Sequence, residues 1–333
     1  MTVLAPSFAQ SAAPYKVLAY YRFAALPDCA ALKPVLAQFC CARGIKGTFI
    51  LAPEGINGTV AGRPEAIDAL MAFFDSDPVW QGRLKGAEAK FSTAAVAPFY
   101  RMKVRLKPEI VTLRAPEANP TLRVGTYVEP EDWNALIARN DVLVIDTRND
   151  YEVKLGTFLN ARDPKTRSFT EFKDYVAGLD PGQQPKVAMF CTGGIRCEKA
   201  SSYMLAHGFK DGFHLKGGIL SYLETVPEAE SRFQGECFVF DERVSVGAGL
   251  RQGDAMLCRA CRLPMRPDEA KDSLCPACAS NPPQGALERE RQMALARSRG
   301  EAHLGDDAAR AAALNKAKKT ERRAAARVRP PSG

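Results

Sequence analysis

The sequence has few of the residues that build common cofactor sites. Histidine occurs only three times among the 333 residues, and no histidine pair with a carboxylate suggests a non-haem iron centre. Neither a glycine-rich dinucleotide fingerprint nor a phosphate-binding P-loop is present. The residues therefore give no support to chemistry that depends on a nicotinamide, a flavin or ATP.

Long apolar runs are also absent. No uninterrupted apolar stretch reaches the roughly 18–20 residues that span a bilayer, and residues 1–14 lack the basic start and hydrophobic stretch of a secretory signal. We therefore expect no membrane segment and a cytoplasmic location. In a reducing compartment, the ten cysteines indicate catalytic thiols or metal ligands rather than a disulfide framework.

Positive charge is concentrated at the end of the chain. The formal net charge is +8, and residues 286–333 hold twelve Lys and Arg against six Asp and Glu. A basic segment of this kind attracts polyanions, of which RNA is the commonest in the cytoplasm. The alternative is a solvated, partly helical extension whose charges only keep the protein soluble.

Apolar periodicity and composition divide the chain into five segments. The first has the β-α-β-β-α-β order of a ferredoxin-like fold, and the third alternates helices with short, continuously apolar strands, which is typical of a buried parallel sheet. The fold class is therefore a multidomain combination of α+β and α/β. We predict a ferredoxin-like domain at 15–97, a connector at 98–124, an α/β domain at 125–230, a Cys-rich module at 231–284 and a loosely ordered basic tail at 285–333.

A glycine-rich loop follows the apolar strand that ends at Phe190. It begins at Cys191 and leads into a helix, and its glycines let successive backbone N–H groups turn inward, where they stabilise an anion. Together with a nearby arginine, such a loop lowers the pKa of a cysteine from about 8.5 into the range of about 3.5–7.5. We therefore predict that Cys191 is a catalytic thiolate. The predicted active-site loop comprises Thr192, Gly193, Gly194, Ile195 and Arg196.

The length of this loop limits the size of the group that it can bind. Only four residues separate Cys191 from Arg196, which makes a cradle that suits a single sulfur atom better than a phosphate. The loop by itself therefore favours a sulfurtransferase that carries a persulfide on Cys191. The alternative without catalysis is that Cys191 is a buried structural cysteine before a tight turn.

Four other cysteines form two Cys-x-x-Cys pairs. They are Cys258, Cys261, Cys275 and Cys278. Four thiolates satisfy tetrahedral Zn²⁺ in a closed structural site, and a metal would explain how a segment with few apolar residues folds. We predict a structural zinc module, with thiols that bind no metal as the alternative.

Several landmarks resemble a known domain type. The segments Asp146-Thr-Arg148, Gly156-Thr-Phe158, Cys191–Arg196 and Lys216-Gly-Gly-Ile219 together look like the landmarks of a rhodanese domain. The resemblance implies that the central α/β domain is rhodanese-like. It also implies that Asp146 and Arg148 are structural residues that hold the first loop.

A wider set of motifs resembles the bacterial tRNA uridine hydroxylase family. These motifs are Glu54–Thr59, Asp163–Phe169 and Cys191–Lys199, and the resemblance covers about residues 15–280. It implies oxygen-dependent conversion of the wobble uridine, position 34, to 5-hydroxyuridine. It also implies an essential Cys191, tRNA as partner and molecular oxygen as co-substrate.

Three residues in these motifs are candidate substrate contacts. Glu54 and Asn57 lie in a tight, polar, glycine-flanked turn, where a domain can present side chains to a substrate, and Arg167 lies in the second motif. Besides hydroxylation, two hypotheses stay open. One is a rhodanese-type sulfurtransferase, and the other is a non-catalytic adaptor that binds RNA or carries sulfur.

Overall fold

The computed structural model describes residues 14–183, 186–281 and 283. The basic tail at 285–333, with the RNA contact predicted for it, lies outside the described residues. Among the residues described, no helix is long and apolar enough to cross a membrane.

The first domain is a five-stranded sheet covered by two helices. Its helices and strands are β1 Tyr15–Phe23, α1 Cys29–Ala42, β2 Lys46–Ala52, β3 Gly55–Gly62, α2 Pro64–Ser76, β4 Glu88–Ala94 and β5 Met102–Leu106. The sheet has the order β4-β1-β3-β2-β5. The first six elements follow the predicted β-α-β-β-α-β order, so the ferredoxin-like fold class is confirmed.

Helix α1 shows how the sequence builds this domain. Leu32, Leu36 and Cys40 recur every four residues and are all buried against the sheet. Gly44 has a φ of +65° just after the helix, a conformation that favours glycine. Asp28 occupies the N-cap position of α1, but its side chain makes no capping hydrogen bond. Its carboxylate instead accepts a hydrogen bond from Arg83 Nη2 at 2.9 Å.

The connector predicted at 98–124 contributes to the first sheet. Strand β5 lies within it and pairs in parallel with β2, from Gly47 opposite Met102 to Leu51 opposite Leu106. Met102 is buried in the core of the first domain. The sequence predicts only a connector here, whereas the structure has a strand of the first sheet, and this difference has a physical reason. The edge of β2 offers unpaired backbone groups that a neighbouring strand satisfies.

The second domain is built on a four-stranded parallel sheet. Its elements are β6 Thr126–Val128, α3 Pro130–Ile137, β7 Leu143–Asp146, α4 Asp150–Val153, β8 Gly156–Phe158, α5 Phe172–Ala177, β9 Lys186–Phe190, α6 Ile195–Ala206, β10 Asp211–Leu215 and α7 Gly218–Thr225. The sheet order is β6-β10-β9-β7. Successive residues of β9 are buried in two different cores, Ala188 and Phe190 in one and Val187 and Met189 in the other. Both faces are therefore covered, which confirms the predicted parallel α/β domain.

The C-terminal module consists of short strands and one short helix. They are β11 Phe233–Gly235, β12 Cys237–Phe238, β13 Ser245–Val246, β14 Met256–Leu257, β15 Pro264–Met265 and α8 Pro276–Ser280. Strand β11 pairs with β8 of the second domain. This pairing attaches the module to the edge of the domain that contains Cys191.

Candidate active site

Cys191 lies at the carboxyl end of β9, where ligands bind in parallel α/β sheets. The loop that follows turns at Gly194, which has a φ of +97°, and α6 starts at Ile195. The backbone N–H of Gly194 donates a hydrogen bond to Cys191 Sγ at 3.1 Å. The sulfur therefore faces the donor groups predicted from the two glycines.

A second glycine pair supports this loop from the other side. The N–H of Ile219 donates to the carbonyl of Cys191 at 2.9 Å, and the N–H of Leu220 donates to the carbonyl of Thr192 at 3.0 Å. A Cβ atom on Gly218 would lie 2.5 Å from the Cys191 carbonyl oxygen. Only glycine allows this approach, which explains the Lys216-Gly-Gly-Ile219 motif.

The environment of Cys191 favours its thiolate. Burial raises the pKa of this thiol, but a hydrogen bond from Cys197, the charge of Arg196 and backbone N–H groups in the first turn of α6 outweigh that effect. The resulting pKa is about 6. Cys197 shows the opposite behaviour, because burial and the neighbouring Cys191 raise its pKa. At neutral pH the thiolate is therefore favoured on Cys191, whereas Cys197 remains a thiol.

Arg196 is held by a buried carboxylate. Its Nη1 and Nη2 atoms bond to the two carboxylate oxygens of Glu152 at 2.7 and 2.8 Å. Burial would raise the pKa of Glu152, but the Arg196 charge keeps it below its usual range. The Glu152 carboxylate also accepts the N–H of Asn149 at 3.1 Å. Arg196 therefore acts on Cys191 through its charge from a fixed position.

The Asp146–Arg148 pair has the structural role that was expected. Arg148 Nε donates to Asp146 Oδ1 at 2.9 Å, and Arg148 Nη2 donates to the Gly156 carbonyl at 2.6 Å. Thr157 Oγ1 donates to Asp146 Oδ2 at 2.8 Å. The pair is fully buried and ties the loop after β7 to strand β8.

Lys199, on helix α6, connects this helix to the first domain and to the connector. Its Nζ atom lies 2.9 Å from Glu54 Oε1 and 2.9 Å from the carbonyl oxygen of Val111, and it also pairs with Glu109. Glu54 additionally accepts the N–H of Ile110 at 2.6 Å. Glu54 therefore ties the first domain both to α6 and to the connector.

A second contact between the domains involves Tyr21 and Glu198. Tyr21 Oη donates to Glu198 Oε1 at 2.8 Å in a buried environment. A Cβ atom on Gly194 would lie 3.0 Å from this hydroxyl, so Tyr21 packs directly on the Cys191 loop. Burial raises the pKa of Glu198. The first domain thus forms one wall of the site.

A cavity of about 610 Å³ is enclosed by all three parts of the molecule. The predicted residues Asn57, Cys191, Thr192, Gly193, Ile195 and Arg196 line it. So do residues that sequence reasoning missed, namely Tyr21, Lys90, Phe240 and Arg243. The missed residues lie in strands and turns with no local motif, so no sequence pattern indicated them.

Two predicted substrate contacts differ in position. Asn57 lines the cavity, and its Nδ2 donates to the Ile110 carbonyl at 2.9 Å. Arg167 is exposed and directly precedes Ser168, which lines the same cavity. Asn57 therefore belongs to the wall and Arg167 to the adjacent surface.

The four paired cysteines form a separate cluster. The Sγ atoms of Cys258, Cys261, Cys275 and Cys278 all lie within 4.8 Å of one another. The distance between the Cys261 and Cys275 sulfurs is 3.8 Å, close to the ~3.8 Å between sulfurs at tetrahedral corners ~2.3 Å from a zinc ion. The thiol set therefore fits one soft metal ion.

Comparisons with known proteins match this architecture. A family model described as a UPF0176 acylphosphatase-like domain matches residues 15–110, and a rhodanese-like domain model matches residues 129–225. The first match includes strand β5, in agreement with its place in the first sheet.

Curated relatives are similar over most of the chain. A tRNA uridine(34) hydroxylase of Mesorhizobium japonicum is 53% identical over 317 residues, which cover 92% of this chain and 100% of that protein. The tRNA uridine(34) hydroxylase of Teredinibacter turnerae is 51% identical, covering 88% of this chain and 94% of its own length. That of Nitrobacter hamburgensis is 58% identical, covering 71% and 93%. At this identity and coverage, the chain belongs to the tRNA uridine(34) hydroxylase family.

Proposed function

We propose that this protein hydroxylates uridine 34 of tRNA to 5-hydroxyuridine, with Cys191 as the nucleophile. The observation that carries the proposal is a thiolate of lowered pKa on the wall of a cavity of about 610 Å³. Cavities of this size accept a small organic group. A nucleobase turned out of its stack enters a pocket in the same way in other enzymes that modify bases.

The chemistry requires carbon 5 of uracil to react with oxygen. Addition of the Cys191 thiolate to carbon 6 produces an enolate, which makes carbon 5 electron-rich. Carbon 5 then reacts with molecular oxygen, the co-substrate. Elimination of the thiolate afterwards restores the ring double bond. The overall reaction also takes up two electrons and two protons, because the second oxygen atom leaves as water; a small-molecule thiol reductant supplies them as two thiols are oxidised to a disulfide.

The residues around Cys191 have distinct roles in this proposal. The Gly194 N–H and the Arg196 charge stabilise the thiolate before addition and after elimination. Asn57 contacts the base through its Oδ1 atom, since its Nδ2 is already bonded to Ile110. Arg167 binds RNA phosphate at the adjacent surface. Glu54 is a positioning residue that holds Lys199.

The cysteine cluster holds a structural zinc ion in this proposal. Its four thiols supply the closed, sulfur-only ligand set that structural zinc prefers. No position is left for substrate, so the ion would stabilise the C-terminal module and take no part in the reaction.

A direct assay tests the reaction. Purified protein is incubated with tRNA that lacks modification at position 34, and the digested nucleosides are analysed by mass spectrometry. We expect 5-hydroxyuridine in air and little without oxygen, and isotopically labelled oxygen gas should label the product. Unchanged uridine 34 in every condition, including the presence of a thiol reductant, would refute the proposal.

A persulfide carrier is the second candidate function. The observation that favours it is the short loop of four residues between Cys191 and Arg196, in which the Gly194 N–H donates to the Cys191 sulfur. Transfer of sulfur from thiosulfate to cyanide measures this activity. Fast transfer without any tRNA product would favour the carrier over the hydroxylase.

A further inference from the structure

A short hairpin of the C-terminal module forms part of the cavity wall. We call residues 237–246, which comprise β12, β13 and the turn between them, the wall hairpin. Phe240 lies in its turn, lines the same cavity as Cys191 and is 57% exposed. Its neighbour Val239 is buried in the core of the second domain. The turn therefore directs one aromatic ring outward while the residue beside it anchors the hairpin.

Polar contacts hold the wall hairpin against the first domain. Arg243 and Asp241 form a buried bidentate pair, with Nε to Oδ1 at 2.9 Å and Nη2 to Oδ2 at 2.6 Å. Arg243 Nη1 also donates to Ser92 Oγ on β4 at 2.8 Å. The N–H of Glu242 donates to the Pro98 carbonyl at 3.1 Å. The position of Phe240 is therefore set by bonds on both sides of it.

The backbone of the wall hairpin is strained in a way that fits a functional turn. Val244 has a φ of +66°, which is unfavourable for a β-branched residue. The N–H of Val239 donates to the Val244 carbonyl at 2.9 Å and closes the turn. Strain of this kind persists only where surrounding contacts over-determine the conformation, and such places cluster at ligand sites.

The ring of Phe240 is available for stacking. It packs at 81° to the ring of Phe238, with 4.9 Å between the centroids. In such a perpendicular pair, at least one face of Phe240 stays uncovered by Phe238. Phe238 in turn packs at 90° on Tyr151, next to the Glu152 that holds Arg196. The exposed ring thus has rigid support beneath it.

Single-stranded RNA loops are recognised by stacking of their bases on exposed aromatic rings. We propose that Phe240 stacks on a nucleobase of the tRNA anticodon loop while uridine 34 reacts at Cys191. This inference rests on the proposed function, because it takes the anticodon loop as the occupant of the cavity. It assigns the C-terminal module a direct part in binding RNA.

Tryptophan fluorescence tests the stacking without any chemistry. The chain has two tryptophans, and both Trp80 and Trp133 are fully buried. The variant Phe240→Trp therefore adds an exposed fluorophore in the cavity, and Leu159→Trp adds one at a site 41% exposed in the parent chain that does not line it. We expect a synthetic anticodon stem-loop to quench Phe240→Trp strongly and Leu159→Trp little. Polyphosphate, which carries charge without bases, should quench neither.

The same titration separates the two proposals. Fluorescence anisotropy of a dye on the stem-loop reports binding independently of the tryptophan emission. Binding with no change in emission of Phe240→Trp would overturn the stacking proposal and leave the hydroxylase proposal standing. Absence of binding to the unaltered protein would refute the proposed function itself.

Kinetics supply a second test. The variant Phe240→Ala should raise KM for tRNA by about tenfold, since stacking of one base contributes on that order, while kcat changes less. Phe240→Tyr should restore KM because its ring still stacks. An unchanged KM in Phe240→Ala would contradict the proposal.

Discussion

The two groups of cysteines in this protein differ in how much of the chain each one needs. The four-cysteine cluster brings its ligands together within residues 258–278. The Cys191 site draws its wall from strand β1, the connector, the second domain and the wall hairpin. A cluster made of two short cysteine knuckles is therefore a local structure, whereas the cavity at Cys191 depends on the packing of whole domains.

The two groups also differ in how their thiols are controlled. Around Cys191 a single thiolate is favoured by Arg196 and backbone N–H groups, and the positive charge is fixed by buried Glu152. In the cluster, four sulfurs lie close together, and one cation balances them in the proposed zinc site. This contrast predicts that a change at Cys191 abolishes the reaction, whereas a change in the four-cysteine cluster unfolds the C-terminal module.

The largest expected effect is at the cluster. Removal of the metal by a chelator, or the variant Cys258→Ser, should unfold the C-terminal module, because structural zinc supplies about 10–16 kcal/mol of apparent binding energy in small modules. Limited proteolysis within residues 231–281 and metal analysis measure this. Cys41→Ser on helix α1 is the control and should retain the metal. A folded protein with less than about a tenth of an equivalent of zinc would contradict the site.

Cys191→Ser should abolish the reaction without affecting the fold. We expect the hydroxylation rate to fall by about 10³-fold or more, as for other nucleophile replacements, with zinc content and melting temperature close to those of the unaltered protein. Nucleoside analysis after reaction with tRNA measures the first, and circular dichroism the second. Full activity in this variant would exclude thiolate addition.

Glu152→Gln should destabilise the second domain. It leaves the Arg196 charge buried without its carboxylate, and such a loss costs about 3–5 kcal/mol. The matched control on the same helix is Asp150→Asn, whose pair with Lys154 is exposed and should contribute about 1 kcal/mol or less. Urea unfolding compares the two variants. Equal effects would show that burial of the Arg196 pair has no energetic consequence.

The pH dependence of alkylation should distinguish Cys191 from an ordinary thiol. Because its pKa is lowered to about 6, reaction with iodoacetamide should stay near its maximum from pH 9 to about pH 7 and fall as pH drops through about 6. At pH 7 the thiolate fraction is about thirtyfold that of a thiol of pKa about 8.5. Mass spectrometry of the Cys191 peptide gives the rate. A midpoint near 8.5 would overturn the assignment.

The smallest expected effect is at the contact between Tyr21 and Glu198. Tyr21→Phe removes one buried hydrogen bond and should reduce the free energy of unfolding by about 1–3 kcal/mol. Tyr15→Phe, at the half-buried start of the same strand, is the control and should change it less. If both variants are equal, the Tyr21 hydroxyl does not stabilise the contact between the domains.

Several elements were predictable because their signals are local. The spacing of Leu32, Val35, Leu36 and Phe39 predicts helix α1, and the continuous apolar run before Cys191 predicts a buried parallel strand. Strand β5 was missed as part of the first sheet, because its pairing partner β2 lies far earlier in the chain and leaves no periodic trace in the connector.

The candidate site likewise has parts that the sequence predicts and parts that it does not. The Cys191 loop was predictable because a strand, two glycines and an arginine stand next to one another in the chain. The partner of Arg196 was not, since Glu152 is 44 residues away. The turn motif predicts that Glu54 contacts the substrate, whereas in the structure its carboxylate bonds Lys199, 145 residues later. A turn motif indicates that a side chain points away from its own segment, but it does not identify the residue or ligand that the side chain contacts.

By itself the sequence determined the two fold types, the glycine loop that follows Cys191 and the two cysteine knuckles, since each depends on neighbours within a few residues. Only the tertiary structure decided which groups surround Cys191. Tyr21 reaches Glu198 across 177 residues, and Phe240 reaches the cavity from a separate module. Contacts between domains arise from the burial of their surfaces against each other, and no spacing within one segment records that geometry.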